Sequence, residues 1–381
     1  MKNKLSTITL GLVASLSLTG VAWAEIRIGA SVSASGPAAF LGDPEAKTLE
    51  MMTKALNAKG GIKGEKVTLV LYDDAGDPNK ARTFATRLIE DDKVTAIIGG
   101  TTTGTSMSIL AVAEDAKVPF ISLAGAIDII EPVKPYAFKT PHTDRMACEK
   151  IFEDMKARGF TKIGMISGAD GFGASMQAQC KKVAARYAIQ ILADETYDPK
   201  DADMTAQLTK IKNTAGVQAI INPGFGQGPA IVTRNYKQLA IDLPFYQSHG
   251  VASDSFIKLV GPEAAEGVRL PGTALLVADL LKDGDPQKPV VIAYKSAYEG
   301  AYSMPVSTFG GYAHDAFMIL TDAIARAKSS KPDAIRTAIE DTKGLAGTTG
   351  IYTFSPTDHL GLDLSAFRLL EIKDGKWTLV Q

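Results

Sequence analysis

Residues 26–56, which read IRIGASVSASGPAAFLGDPEAKTLEMMTKAL, decide the fold. The apolar run Ile26–Ser31 predicts a buried β-strand, and Ser35-Gly36-Pro37 predicts a turn after it. Asp43-Pro44-Glu45 then predicts the start of a helix, with Asp43 as the N-cap and Pro44 in the first turn. Apolar residues recur at helical spacing as far as Leu56. A strand, a glycine-rich turn and a helix in this order are typical of an α/β protein.

The same order of elements repeats along the chain. Further strands are predicted at 67–72, 95–98 and 119–123, and, after about residue 143, at 163–167, 189–197, 218–222 and 244–247. These strands lack apolar–polar alternation and are separated by helices, which indicates parallel sheets covered on both faces. Two such series predict two α/β lobes.

The remaining elements are too few for a third lobe. They are predicted strands at 272–277, 350–354 and 367–372 and three helices, near 289–298, 311–327 and 332–341. We therefore expect them to complete the two lobes, so that the chain crosses between the lobes several times. The crossings are expected near 139–143, 268–273 and 345–349.

Composition excludes several classes of protein. The 381 residues are 45% hydrophobic and 22% charged, which is sufficient for a folded core. The net charge of −1 argues against nucleic-acid binding. Residues 1–24 combine Lys2 and Lys4, a short apolar run and Ala22-Trp23-Ala24, the pattern of a cleaved signal peptide. We expect export to the periplasm; an anchoring helix is the alternative.

No catalytic or metal-binding motif is present. The sequence lacks HExxH, GxSxG and a complete Walker A loop, and its four histidines are not at metal-ligand spacing. We therefore predict no enzymatic activity, no metal and no cofactor. Cys148 and Cys180 both fall on predicted helices of the second lobe, and the sequence leaves their pairing open.

Two strand-to-helix turns are rich in small residues. Gly99–Gly104 contains three threonines, whose hydroxyls and backbone amides at a helix start can bind a carboxylate. Alternatively, one threonine only caps the helix. Ala124-Gly125-Ala126 ends the next strand, where open α/β sheets bind their ligands, although turn packing would also explain its small residues.

Several motifs together resemble the extracytoplasmic solute-binding proteins of ABC transporters, in the leucine/isoleucine/valine-binding class. They extend over essentially the whole chain after residue 24: Ser35-Gly36-Pro37 with Gly42, Asn57–Gly64, Tyr72–Asp74 with Asp77-Pro78, Ile97–Gly99, Asp170–Gly173, and Gly311-Tyr312 with Asp315. The resemblance implies the type I periplasmic-binding-protein fold, with two Rossmann-like lobes, parallel central sheets and a hinge of three crossings. Residues 25–141 with about 273–347 would form the first lobe, and residues 142–272 with about 348–381 the second.

The resemblance also implies a role and a site. The lobes would close over a small solute, and the protein would deliver this solute to a permease in the cytoplasmic membrane. The protein is expected to be a monomer. Matched positions are Thr102 and Thr103 for the solute carboxylate, Ala124 for a backbone contact to it, and Phe40, Phe172 and Phe225 for aromatic contacts. Ordinary core packing is the alternative for these phenylalanines.

Two departures from the class predict the solute. Amino-acid binders of this class use a threonine at the position of Ala126 and an acid at the position of His249. A buried α-ammonium needs such partners, whereas a histidine can donate to an anionic or phenolic oxygen. We therefore predict a carboxylate without an α-amino group, an aromatic acid first. An aliphatic or 2-oxo acid and a branched-chain or other neutral amino acid are the alternatives.

Other interpretations stay open. Asp170 or Asp254 could replace the missing acid, which would favour an amino acid, and His249 could be an ordinary surface histidine. A ligand-binding sensor module and an exported enzyme are the alternatives from other classes of function.

Overall fold

The computed structural model describes residues 25–327 and 329–380. The predicted signal peptide lies outside the described residues. The strands are β1 Ile26–Val32, β2 Val67–Asp73, β3 Ala96–Gly99, β4 Phe120–Ser122, β5 Ala137–Lys139, β6 Lys162–Gly168, β7 Gln190–Tyr197, β8 Ala219–Asn222, β9 Phe245–Gln247, β10 Arg269–Gly272, β11 Leu345–Ala346, β12 Ile351–Tyr352, β13 Arg368–Lys373 and β14 Lys376–Leu379.

The helices alternate with these strands. They are α1 Ala39–Ala58, α2 Pro78–Glu90, α3 Thr103–Ala116, α4 Asp144–Ala157, α5 Gly171–Ala184, α6 Thr205–Asn213, α7 Gln227–Gln238, α8 Asp254–Val260, α9 Pro262–Ala265, α10 Lys288–Tyr302, α11 Thr308–Ala327 and α12 Pro332–Glu340. None of the helices in the described ranges combines the length and apolar character of a membrane span.

Two sheets organise these elements. The first has the order β2-β1-β3-β4-β5 and is parallel throughout. The second has the order β14-β13-β10-β9-β8-β6-β7, in which β6 to β10 are parallel and β13 and β14 are antiparallel. The predicted α/β class with two Rossmann-like sheets is confirmed. The lobe boundaries remain a prediction.

Helix α11 is bonded to all three predicted crossing segments. The Thr140 hydroxyl donates to the carbonyl of Tyr312 at 3.0 Å, and the Thr348 hydroxyl donates to the carbonyl of Gly311 at 3.0 Å. In the remaining segment, Thr273 shares a hydroxyl hydrogen bond of 3.3 Å with Thr308. The start of α11 is thus fixed to the segments between the two sheets.

Some predicted elements are wrong or incomplete. Helix α1 begins at Ala39, so Asp43 is not its N-cap and Pro44 lies inside the helix. The reason is that Gly36-Pro37 already opens a 3-10 turn that runs into the helix. The predicted strand at 272–277 ends at Gly272, and the segment Ala274–Leu280, which is apolar and largely buried as far as Ala278, forms 3-10 turns. A continuous apolar run does not distinguish a strand from a buried helical turn.

Several pairings in the structure also differ from the predictions or were left open by the sequence. Of the predicted strand at 350–354, only Ile351–Tyr352 pairs, and it pairs with β11 in a separate two-stranded sheet. Strands β5, β11 and β14 were not predicted. The cysteines left open by the sequence form a disulfide between α4 and α5, with the Cα atoms of Cys148 and Cys180 5.1 Å apart.

Candidate functional site

A cavity lies between the carboxyl ends of strands from both sheets. The turns after β3 and β4 line it from the first sheet, and the turns after β6, β8 and β9 line it from the second. Leu41 and two residues of α11 complete the wall on the first side. The lining residues are Leu41, Thr101, Thr102, Thr103, Leu123, Ala124, Gly125, Pro141, Phe172, Phe225, His249, Gly250, Phe309 and Tyr312.

The walls of the cavity are close together. The cavity volume is about 40 Å³, which accommodates only a few water molecules. A Cβ atom added at Gly125 would lie 2.7 Å from Cε2 of Phe172 and 2.9 Å from Nε2 of His249. The cavity adjoins a larger groove lined by Thr102, Thr103, Phe172 and Phe225 together with exposed loops. A solute with a ring therefore enters only when the walls separate.

The three consecutive threonines have three different roles. The Thr101 hydroxyl donates to Glu45 at 2.5 Å and accepts from the Ser33 amide at 2.9 Å. The Thr102 hydroxyl accepts from the Thr105 amide at 3.2 Å and so caps α3. The Thr103 hydroxyl is buried and has no hydrogen-bond partner in the described chain. Of the three hydroxyls, that of Thr103 is free to bind a solute.

Backbone amides extend this polar surface. Thr103 and Gly104 open α3, where the first amides of a helix have no intrahelical acceptor. The Ala124 amide donates to the Ser122 hydroxyl at 3.1 Å. The next amide, that of Gly125, has no partner among the described hydrogen bonds. Among the described lining residues, the donors without a partner are therefore the hydroxyls of Thr103 and Tyr312 and the amides of Thr103 and Gly125, while Gly104 lines the adjoining groove.

The wall from the second sheet is aromatic. Phe172 packs edge-on against Phe225, with ring centroids 6.1 Å apart, and edge-on against His249 at 5.4 Å. Asp170 caps α5 by accepting from the amides of Phe172 and Gly173 at 2.9 and 3.0 Å, which fixes the start of the helix that carries Phe172. These rings offer faces and edges to an apolar solute.

His249 is buried and neutral. Its side chain is 3% exposed, and its Nδ1 atom has no hydrogen-bond partner in the part of the chain described. Burial, and secondarily the nearby charge of Lys139, lower the pKa of His249 to about 3. A neutral imidazole with a free nitrogen can donate to or accept from a solute oxygen. It is not the surface histidine that the sequence left open.

No charged side chain lines the cavity within the described residues. Glu45 is a buried acid that accepts from the hydroxyl of the lining residue Thr101, and burial raises the pKa of its carboxyl well above the ordinary value. Asp254, the first residue of α8, lines a different groove. Over the described ranges, no group of three or more histidine, cysteine or acidic side chains could bind a metal.

Six of the eight predicted site residues meet at this cavity: Thr102, Thr103, Ala124, Phe172, Phe225 and His249. Phe40 lies in a neighbouring depression and packs edge-on against the lining residue Phe309, with centroids 5.8 Å apart. Ala126 is fully buried and does not line the cavity. Whether these residues bind a solute remains a prediction.

The sequence analysis missed several lining residues. Gly125 lies in a turn that the sequence had already indicated, and Gly250 could have been found because it follows the carboxyl end of a parallel strand, β9. Phe309 and Tyr312 come from a helix more than 130 residues further along the chain than the Phe172 turn. Tyr312 belongs to a motif of the resemblance, but nothing in the sequence places its hydroxyl at the cavity.

Residues 25–376 match the family described as periplasmic binding protein. Because this match covers most of the chain, the chain belongs to that family. It is accordingly a solute-binding receptor and not an enzyme, and the predicted family relationship is confirmed.

Named relatives match this chain over most of its length. The chain is 26% identical to the Leu/Ile/Val-binding protein BraC3 of Rhizobium johnstonii over 98% of both chains. It is 25% identical to the leucine-, isoleucine-, valine-, threonine- and alanine-binding protein of Pseudomonas aeruginosa, over 89% of this chain and 86% of the other.

Solved structures share the fold. An extracellular ligand-binding receptor from Rhodopseudomonas palustris HaA2 is 31% identical with a TM-score of 0.87, over 94% of this chain and all of the other. A branched-chain amino acid substrate-binding protein from Streptococcus pneumoniae, in complex with isoleucine, has a TM-score of 0.82 over 93% and 97% of the two chains. At 24% identity the latter likeness shows the fold alone.

Proposed function

We propose that this protein is the periplasmic receptor of an ABC importer and that it binds a small aromatic carboxylate between two closing lobes. The single observation that carries the choice of solute is the absence of any charged side chain from the lining of the described cavity. An α-ammonium enclosed there would have no ionic partner, and burying it unpaired costs several kcal/mol.

The polar and aromatic walls support one orientation of the solute. The solute carboxylate is bound by the Thr103 hydroxyl and by the amides at the start of α3, where the helix dipole favours an anion. Its ring packs against Phe172 and Phe225, and a ring hydroxyl or second oxygen meets the free nitrogen of His249. Closure removes water from both ends of the solute.

A branched-chain amino acid is the second candidate, and the names of the relatives favour it. It requires a charged or strongly accepting partner for the ammonium group. Asp170 is the acid closest in the chain to the aromatic wall, but its carboxylate already caps α5. Both capping bonds go to Oδ1, so the second candidate needs the ammonium group to reach Oδ2 of Asp170.

A thermal-shift screen tests the proposal with pairs that differ only at the α-carbon. The pairs are 3-phenylpropanoate with phenylalanine and 4-methyl-2-oxopentanoate with leucine, and benzoate is added as a minimal aromatic acid. A solute at about 1,000 times its Kd stabilises the native protein by about 4 kcal/mol. We expect the aromatic acids to raise the Tm. Stabilisation by the amino acids alone would overturn the proposal.

Closure is tested separately by solution scattering with and without the confirmed solute. We expect a smaller radius of gyration with the solute bound, because hinged lobes close around it. An identical envelope in both samples would contradict the proposed closing motion.

A further inference from the structure

Lys139 is a fully buried lysine behind the cavity. It is the last residue of β5, in the first predicted crossing, and it has 0% exposure. Its ammonium donates to the carbonyls of Gly125 at 3.1 Å and His142 at 3.0 Å. In the described chain it forms no ion pair. Lysine is rarely fully buried unless it is paired, because the unpaired charge is costly to desolvate.

The contact with Gly125 connects Lys139 to the proposed carboxylate site. Gly125 lines the cavity and has the free amide described above, while its carbonyl accepts from both the Lys139 ammonium and the Asp144 amide at 3.0 Å. His249, in the opposite wall, is close enough for the Lys139 charge to lower its pKa. The Lys139 ammonium is thus separated from the cavity by Gly125, whose amide is one of the donors available to an anion.

The acid nearest to Lys139 is occupied by other donors. The Asp144 carboxylate accepts from the amides of Ile127 at 3.1 Å and Arg145 at 2.8 Å, and from the Ser175 hydroxyl. Two imidazoles also lie near Lys139, and burial lowers the pKa of both His142 and His249. The titratable or charged residues around Lys139 are therefore Asp144, His142, His249, His359 and Arg368. The His359 carbonyl accepts from the Lys139 amide, and the charge of Arg368 contributes to lowering the pKa of His142.

We propose that Lys139 is the residue that selects anionic solutes: its ammonium is the charge partner of the bound carboxylate across the Gly125 turn, and its protonation is coupled to solute binding. The proposal rests on the proposed function, since it requires a carboxylate at the wall from the first sheet. It concerns the charge of the solute, whereas the aromatic preference concerns the opposite wall.

The coupling has a defined direction. Burial, opposed in part by the Asp144 charge, lowers the pKa of Lys139 to about 7. Above pH 7 the solute-free protein therefore has a neutral Lys139. A bound anion favours the ammonium and raises this pKa, so binding takes up a proton from the buffer. Affinity is then greatest below pH 7 and weakens above it by up to ~10-fold per pH unit.

Calorimetry of benzoate binding tests this coupling. Wild type, Lys139→Met and Lys156→Met are titrated at pH 6.5 and 8.5, each in two buffers of different ionisation enthalpy. Lys156 is the matched control, because it is exposed on α4 and no more than a surface cation. We expect wild type and Lys156→Met to take up about half a proton or more at pH 8.5 and to lose about tenfold or more in affinity between the two pH values. Lys139→Met should show neither effect.

Lys139→Arg covers the case in which Lys139→Met fails to fold. Arginine stays charged over this range, so binding should be tight and independent of pH with no proton uptake. Absence of proton uptake by wild type, or its persistence in either Lys139 variant, would overturn the inference. If leucine binds and benzoate does not, the aromatic preference fails, and the same titrations with leucine decide the role of Lys139. Failure of every carboxylate to bind overturns both.

Discussion

The two walls of the cavity differ in what they can recognise. The wall from the first sheet offers hydrogen-bond donors, the free hydroxyl of Thr103 and the amide of Gly125 among them. The wall from the second sheet offers the rings of Phe172, Phe225 and His249, the last of which is neutral. Under the proposed function, the first wall would bind the charged end of the solute and the second wall its ring. This division would fix the orientation of the solute before the walls close.

The two regions also differ in how they are stabilised. Cys148 on α4 and Cys180 on α5 cross-link the region of the second sheet, and the same α5 begins with Phe172. The described chain has no other disulfide, so the first region depends on packing and hydrogen bonds. The cross-link holds the helix that presents the aromatic wall.

Removing the disulfide should have the largest effect. The double substitution Cys148→Ser and Cys180→Ser opens a loop spanning a sequence separation of 32, and we expect the free energy of unfolding to fall by about 3–4 kcal/mol. Urea unfolding followed by circular dichroism measures it. Reduced wild type should reproduce the loss. A loss below ~1 kcal/mol would mean that the cross-link adds little to the second region.

Placing a methyl group between the two walls should have the next largest effect. Gly125→Ala places a Cβ atom 2.7 Å from Phe172 and 2.9 Å from His249, both from the opposite wall. The glycine is outside the left-handed region, so alanine fits its backbone. We expect the walls to be held apart and the affinity for benzoate to fall about 100-fold, or about 2.7 kcal/mol.

The matched control for this substitution is Gly300→Ala. An added Cβ at Gly300, in α10, has nothing within 4 Å, so affinity should not change. Both variants should keep the Tm of the solute-free protein within a few degrees. If Gly125→Ala binds benzoate as tightly as wild type does, the walls do not approach in the bound form as they do in this structure.

Giving the aromatic wall a charge should reverse the solute preference. His249→Glu places a carboxylate where no charge now lines the cavity, and it can pair with an α-ammonium. We expect the affinity ratio of phenylalanine to 3-phenylpropanoate to rise about tenfold or more, measured by calorimetry. His249→Gln, which is polar and uncharged, is the control. An unchanged ratio in His249→Glu would show that the solute's α-carbon does not face this position.

Which lining residues the sequence could predict depends on how far apart these residues lie along the chain. The turns after β3, β4, β6, β8 and β9 were within reach, because the ends of parallel strands meet at one edge. Phe40, which the resemblance implied as a pocket residue, lies beside the cavity, and Leu41 lines the cavity instead. Helix α1 begins at Ala39, five residues before the predicted start at Pro44.

Other features depend on tertiary contacts that leave no local pattern. The disulfide required the Cα separation of Cys148 and Cys180. The burial of Lys139 required knowing that the chain on both sides of it is covered, and the sequence analysis placed it only in a crossing. Of the three threonines, Thr101 bonds to partners far along the chain, Glu45 and Ser33, and no local pattern indicates this.

The neighbouring threonines allow the smallest and most specific test of the donor wall. The Thr103 hydroxyl has no partner in the described chain, so Thr103→Val should leave the free energy of unfolding nearly unchanged and weaken benzoate binding about tenfold, the value of one hydrogen bond to a charged group. The Thr102 hydroxyl caps α3, so Thr102→Val should cost about 1 kcal/mol of stability with a smaller change in affinity. Calorimetry and urea unfolding of both variants measure the two quantities side by side. If both substitutions reduce stability and neither reduces affinity, these threonines only cap the helix, and the carboxylate must be bound by backbone amides alone.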